Sequence, residues 1–284
     1  MRILITGSYG QLGNELRVAS ARHSLHSYLL TDADTLDICC LDALDHYFSE
    51  HHPDIVINCA AYTAVDKAED DQAKCALINA EAVKNIGIVA QRHNARVVHV
   101  STDYVFDGTS HIPYTEDMSV CPTNVYGRTK LLGEQHLMEV APESIIIRTS
   151  WLYSSFGNNF VKTMLRLGNE REVLNVIFDQ VGTPTYAADL AEAILTIIDQ
   201  GTWHSGVYHF SNEGVCSWYD FCKVILTFSG NTSCKVVPIE SSAYPVRTPR
   251  PHYSVLNKGK IKQTFQLEIP YWMDGLERCL KLLQ

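Results

Sequence analysis

No apolar run in this 284-residue chain approaches the ~20 residues a helix needs to cross a bilayer, so nothing in it reads as a membrane span. The opening stretch, Met1-Arg2-Ile3-Leu4-Ile5-Thr6-Gly7, reaches glycine before its apolar run is long enough for a signal peptide. A cytoplasmic protein is the expectation. Cys-x-x-Cys pairs are absent too: the nine cysteines stand at 39, 40, 59, 75, 121, 216, 222, 234 and 279. That odd, scattered set predicts reduced thiols and argues against a disulfide framework or a zinc site. None of the 12 histidines falls in a His-Glu-x-x-His, and the adjacent His51 and His52 close a predicted helix and are given no role. No metal ligand set is expected. Cations are short as well, with 23 Lys and Arg against 32 Asp and Glu and a net charge of −9, which disfavours a nucleic-acid partner. An anionic small molecule would have to be held by backbone amides, helix ends and a few local cations. Repeats, low-complexity tracts and long linkers are missing, which leaves an ordinary globular chain long enough for a sizeable core.

Within it, short apolar strands alternate with helical patterns. Strands are expected at Arg2–Thr6, Tyr28–Thr31, Asp54–Asn58, Arg96–Ser101 and Ser144–Arg148, each followed or preceded by a helix. The helices run from the first glycine turn to about Arg22, over Leu41–His51, over Lys74–Asn94, and from Thr123 or Asn124 to about Val140, after Pro122 and before Pro142. Continuous apolar strands between helices predict an α/β fold built on a doubly wound parallel sheet, whose strands all end along one ligand-binding edge. Further on, the pattern predicts a helix at Phe156–Gly168, a strand at Val173–Ile177, a helix at Ala187–Asp199, a last sheet strand at Val207–Phe210 and a closing helix at about Pro270–Leu283. A Pro-rich loop over Tyr244–Pro251 interrupts the last third.

Gly7-Ser8-Tyr9-Gly10-Gln11-Leu12-Gly13 gives Gly-x-x-Gly-x-x-Gly directly after the first strand and at the opening of a helix. Gly7 permits the tight turn, Gly10 lets a pyrophosphate approach the backbone, and Gly13 lets helix and strand pack closely. Residues 1–150 are therefore expected to form a dinucleotide-binding Rossmann domain, with about 171–210 returning to its sheet. About 151–170 and 211–284 would form a smaller, interleaved substrate-binding lobe. Asp32 ends the second strand, nineteen residues past Gly13, and suits a ribose 2′-OH acceptor. It would repel a 2′-phosphate, which leans toward NADH being usable. The competing reading is that Asp32 only caps a turn.

Tyr126 and Lys130 lie four apart, one turn along the same helix face, where an ammonium favours the phenolate and makes the tyrosine an acid or base near neutral pH. The motif alone is weak, since Tyr219 and Lys223 repeat it in what reads as an ordinary amphipathic helix. Tyr126 is distinguished by its neighbourhood. Ser101-Thr102-Asp103 ends the fourth strand, at the edge that faces the cofactor, and a hydroxyl there can bind a substrate oxygen. Glycine turn, Ser-Thr strand end and Tyr-x-x-x-Lys in that order point to one functional site.

With these blocks the sequence resembles the extended short-chain dehydrogenase/reductase family over nearly its whole length. The resemblance also rests on Asn58–Glu69, Ser101–Gly108, Pro122–Lys130 with Gly133-Glu134, Arg148–Tyr153, Gly157–Phe160 with Thr163–Arg166, and Asp179-Gln180-x-Gly182-x-Pro184-Thr185. The later blocks look like those of its reductases of dTDP-4-keto-6-deoxy-L-sugars. That resemblance implies hydride reduction of the sugar C4 carbonyl by NADPH or NADH, with Tyr126 as proton donor. Lys130 would bind the nicotinamide ribose and lower the tyrosine pKa, and Thr102 would orient the carbonyl. It further implies that Gln11, Leu12, Asp37, Ile38, Ala60, Ala61 and Thr63 line the cofactor, and that Asp103, Trp151 and Asn159 meet the substrate. Either Arg250 or Arg247 would face the nucleotide diphosphate. A homodimer is compatible with the resemblance, though no exposed apolar helix demands one, and nothing in the sequence speaks for or against Mg²⁺. Two other readings of the same scaffold stay open here. One is a non-catalytic, nucleotide-binding regulatory subunit; the other is a sugar-nucleotide epimerase or dehydratase, for which Tyr104 stands where elimination would need a second acid.

Overall fold

The computed structural model of the chain describes residues 1–244 and 247–283, so that Pro245 and Val246 of the Pro-rich loop lie outside the described residues. The first half alternates strand and helix: β1 (Arg2–Thr6), α1 (Gln11–Ala19), β2 (Ser27–Thr31), α2 (Leu41–His51) and β3 (Ile55–Asn58). Two short helices follow, α3 (Val65–Ala68) and α4 (Gln72–Ala76), then α5 (Ala82–Arg92), β4 (Arg96–Thr102), α6 (Val125–Val140) and β5 (Ile145–Thr149). The second half holds β6 (Leu152–Tyr153), α7 (Phe160–Glu170), β7 (Val173–Ile177), β8 (Val181–Gly182), β9 (Thr185–Tyr186), α8 (Ala187–Asp199) and β10 (Gly206–His209). The chain closes with β11 (Cys216–Ser217), α9 (Trp218–Phe228), β12 (Lys235–Ile239), α10 (Gly259–Phe265) and α11 (Trp272–Lys281).

Six parallel strands form one sheet in the order β10-β5-β4-β3-β1-β2. The order reverses between β1 and β3, and the crevice at their C-terminal ends is where an open α/β sheet binds its ligand. Alternation along the strands fills both faces. Ile3, Ile5, Ile57 and Ile147 pack under α1 and α8 with Leu16, Leu190 and Ile194, while Leu4, Val56 and Ile146 pack under α2, α5 and α6 with Phe48, Ile86 and Leu137.

Where one helix was expected over Lys74–Asn94, α4 and α5 are joined by a π-helical turn, Leu77–Glu81. Asn79 in that turn takes the Tyr62 N–H at 2.8 Å and returns Nδ2 to the Tyr62 carbonyl at 3.0 Å, which pins the loop after β3. Residues 173–177 do form a strand, but β7 does not return to the large sheet: it pairs with β12 in a separate two-stranded sheet. Its alternating exposure explains this, because a strand buried on one face only cannot sit between two helical layers. From residue 171 the chain therefore stays in the small lobe through β9, and only α8 and β10 rejoin the sheet. The lobe has its own core, in which Phe221, Ile225, Leu226, Trp272 and Leu276 gather around α7, α9 and α11.

Candidate active site

An open cleft of ≈ 1170 Å³ lies over the strand ends, between the glycine turn and the lobe. Gly7, Gly10, Gln11, Leu12, Gly13, Ala61, Thr63, Thr102, Asp103, Tyr126, Lys130, Trp151, Asn159, Arg247 and Arg250 all line it, so most of the expected site residues come together here.

Steric limits at the turn fit a dinucleotide. Gly7 has φ +64°, and a Cβ there would stand 2.7 Å from the Ala60 nitrogen; a Cβ on Gly13 would stand 2.3 Å from the Gly7 carbonyl oxygen. Gly10 caps α1 with no side-chain bond to the helix, so no side chain takes the first-turn N–H groups, and the residues that carry them line the cleft, an arrangement suited to an anion. Four expected cofactor residues, Asp32, Asp37, Ile38 and Ala60, are not among the residues that line the cleft. The Asp32 carboxylate accepts Tyr9 N at Oδ2 (3.0 Å) and Ala33 N at Oδ1 (2.8 Å), and each oxygen keeps a second lone pair for a further donor. Asp37 is occupied by the Cys39 N–H at 2.9 Å, Ile38 is buried beside Leu44 and Phe48, and Ala60 packs against the same core.

The helix carrying Tyr126 is set by its cap and two close approaches. Asn124 caps it by accepting the Gly127 N–H at 2.8 Å, and its own amide donates to Pro249 O at 3.3 Å, tying the Pro-rich loop to the site. A Cβ on Gly127 would meet the Tyr104 carbonyl at 2.2 Å, and one on Gly133 would meet the Asn79 carbonyl at 2.1 Å. Only glycine lets α6 lie this close to the strand end and the π turn. The Tyr126 ring then sits edge-on to Tyr104, with centroids 5.4 Å apart.

Thr102 caps the turn after β4: its hydroxyl accepts the Tyr104 N–H at 3.2 Å and donates to Asp103 Oδ1 at 3.1 Å. Asp103 is buried with Oδ2 unpartnered, and burial lifts its carboxyl to about 7. Lys130, 2% exposed, donates to the Val100 carbonyl at 2.7 Å and lies 3.3 Å from His99 Nε2. Burial brings it down to about 8, against the pull of Glu134, Cys59 and Cys75. The Tyr126 phenol, by contrast, is pushed up by burial, with Thr102 drawing it down and Asp103 raising it further. The expected lowering of the tyrosine by Lys130 is therefore not what this structure holds. The lysine amine is turned toward the sheet, and desolvation of the phenol outweighs any help from it.

On the lobe side, Asn159 caps α7 through Lys162 N at 3.1 Å and donates to Gln11 Oε1 at 2.9 Å, coupling lobe and glycine turn. Arg250 donates to Tyr104 Oη at 3.2 Å and to Asp66 Oδ2 at 2.8 Å, and is 24% exposed. Arg247, paired with Asp70, is 59% exposed. Trp151 stacks on Trp218, a cleft residue the sequence reading missed along with Gln180 and Ser254. Among the described residues no group of three or more His, Cys, Asp or Glu converges as a metal site, and no helix is long and apolar enough to cross a membrane.

A doubly wound parallel sheet with a glycine turn at its switch point, and a Tyr-x-x-x-Lys helix beside a Thr-bearing strand end, defines an oxidoreductase of the nucleotide-binding Rossmann class. The family model described as the RmlD substrate binding domain matches residues 1–284, and the chain belongs to that family. It is 40% identical to a dTDP-4-dehydrorhamnose reductase of Escherichia coli strain K12, over 100% of this chain and 98% of that one. Among solved structures it is similar to a dTDP-4-dehydrorhamnose reductase of Clostridium acetobutylicum (TM-score 0.95, 41% identity, 100% of both chains). A second similar structure is the Bacillus anthracis dTDP-4-dehydrorhamnose reductase in complex with NADP (TM-score 0.94, 39% identity, 99% of this chain and 98% of that one).

Proposed function

We propose that this protein reduces C4 of dTDP-4-dehydro-L-rhamnose, giving dTDP-L-rhamnose, at the expense of NADPH or NADH. The observation that carries the proposal is the convergence of Thr102, Tyr126 and Lys130 with the Gly7–Gly13 turn in one cleft. Gly7, Gly10 and Gly13 with the open start of α1 would hold the pyrophosphate, and Ala61, Thr63 and Lys130 the nicotinamide half. The reduced nicotinamide, when bound, supplies the hydride. Tyr126 then gives its proton to the C4 oxygen, and a phenol that burial keeps protonated is suited to that donor role. Thr102 stands beside it, and its hydroxyl stabilises the same oxygen as charge develops there.

Trp151 and Asn159 would meet the sugar, with Asp103 beside Thr102. Arg250, half-sheltered over Tyr104, is the better placed of the two arginines for the diphosphate. The net charge of −9 supports a small-molecule ligand held locally, and the nine free thiols suit a reducing compartment such as the cytoplasm. The family reading extends to a homodimer. The decisive assay mixes dTDP-4-dehydro-L-rhamnose with each reduced nicotinamide. One nicotinamide oxidised per reduced sugar formed is the expected result, and no substrate-dependent oxidation of either cofactor would sink the proposal.

A further inference from the structure

A row of buried polar groups runs across the sheet beneath the cleft, at aligned positions of three neighbouring strands: Thr6 of β1, Asn58 of β3 and His99 of β4. Thr6 Oγ1 donates to Asn58 Oδ1 at 2.7 Å, Asn58 Nδ2 lies 3.0 Å from His99 Nδ1, and His99 Nε2 lies 3.3 Å from Lys130 Nζ. The direction of this row is fixed at one end. The Ala60 backbone N–H reaches Asn58 Oδ1 at 3.2 Å, and a backbone nitrogen can only donate, so the oxygen of the Asn58 amide faces Ala60 and its NH₂ faces the histidine. His99 Nδ1 must then accept. A neutral imidazole that accepts at Nδ1 carries its proton on Nε2, and that N–H points at the lysine nitrogen.

An ammonium has three donors and no lone pair, so a charged Lys130 would face this N–H donor to donor. An amine accepts it and still donates to Val100 O at 2.7 Å. We propose that His99 is a positioning residue that holds Lys130 as the uncharged amine in the free protein at alkaline pH, and that the lysine then takes up a proton from solvent as the cofactor binds. Once charged, Nζ loses its acceptor for His99 and is driven from the sheet toward the cleft, where the cofactor ribose and the Tyr126 phenol need a cation. The groups around the lysine are Glu134 on its own helix, Cys59 after β3, Cys75 on α4 and His99 on β4, and none cancels the cost of burying the charge. Glu134 is already committed to Arg148 at 2.7 Å.

The inference rests on the nicotinamide-dependent reading above. Calorimetry of NADPH binding at pH 9, in two buffers of different ionisation enthalpy, should show close to one proton taken up per cofactor. By linkage the dissociation constant should be about tenfold weaker at pH 9 than at pH 7. His99→Gln, whose amide can turn its oxygen to an ammonium, should cut the uptake at pH 9 and shrink the pH dependence, leaving only the share that burial alone imposes on the lysine. Unchanged uptake in that variant, or none in the wild type, overturns the proposal. Should the variant fail to fold, ¹⁵N-histidine spectra of the wild type decide: His99, assigned through its contact with Asn58, must show a bare Nδ1 and a protonated Nε2, and the opposite tautomer overturns it. Sugar-dependent NADPH oxidation is measured alongside. Turnover without proton uptake defeats this inference and leaves the reductase reading standing, while uptake without turnover upholds the inference and counts against that reading.

Discussion

The Trp151 and Trp218 indoles lie nearly parallel, 11° apart with centroids at 3.6 Å, on the lobe wall of the cleft. Trp151 has φ +48°, a left-handed conformation that a bulky residue holds only when its surroundings fix it. Gly182 closes the other side, where a Cβ would come within 2.7 Å of the indole. Trp218 thus positions the ring that we assign to the sugar and stays clear of the glycine turn. Trp218→Ala should raise KM for the dTDP-sugar about tenfold, a loss of about 1.4 kcal/mol, in line with one aromatic stack. NADPH affinity should stay as it is; an equal loss in both would mean that the lobe as a whole had moved.

Tyr126→Phe removes only the phenolic oxygen from a ring already packed on Tyr104. The fold, the α6 cap and NADPH binding should survive, while turnover falls by about 10²–10⁴, the range of a lost general acid. Wild-type turnover in this variant would remove Tyr126 from the proton-donor role.

The main-sheet strands and the glycine turn were legible because each carries a local signal: short β-branched runs, or glycines at fixed spacing before a helix. The cap of α6 was legible for the same reason. The fate of Val173–Ile177 was not, because a strand's sequence does not name its partner, and β12 follows some sixty residues later. The π turn inside Lys74–Asn94 leaves the helical periodicity almost unbroken. Trp218 reaches Trp151 only through tertiary packing. His99 did carry a usable mark, as the one polar residue in Val97-Val98-His99-Val100, yet its meaning depends on registration with Thr6 and Asn58 that only the folded sheet provides. Asp32 stands at the end of β2, where its spacing placed it, and its carboxylate also accepts two amides of the turn.

Glu134 and Arg148 form an ion pair whose side chains are 4% and 5% exposed, bonded through both guanidinium Nε and Nη2. Arg148 Nη1 already lacks a partner, so the arginine depends on this carboxylate for its charge. Glu134→Gln should lower the free energy of unfolding by about 3–5 kcal/mol, read from urea denaturation, because an uncompensated cation stays buried. The double change Glu134→Leu, Arg148→Met should cost less than the single one. A double variant that is worse would show that the pair contributes more than mutual neutralisation.

Asp103 ties stability to pH in a direction opposite to that of most carboxylates. Its folded value of about 7 lies above the ordinary 3.8, because burial penalises the anion more than the Thr102 hydroxyl helps it. Between those two values the folded protein holds a proton that the unfolded chain has released. The contribution is thus fully present below about 3.8 and is lost as pH rises through about 7, amounting to about 4 kcal/mol at most. Asp103→Asn keeps the size and the Thr102 bond and cannot ionise. Its melting temperature should match the wild type near pH 4 and exceed it by a margin that widens from pH 5 to pH 8. A margin that stays constant across that range would mean that Asp103 does not titrate in this window, and its carboxyl would have to be charged in the folded protein throughout.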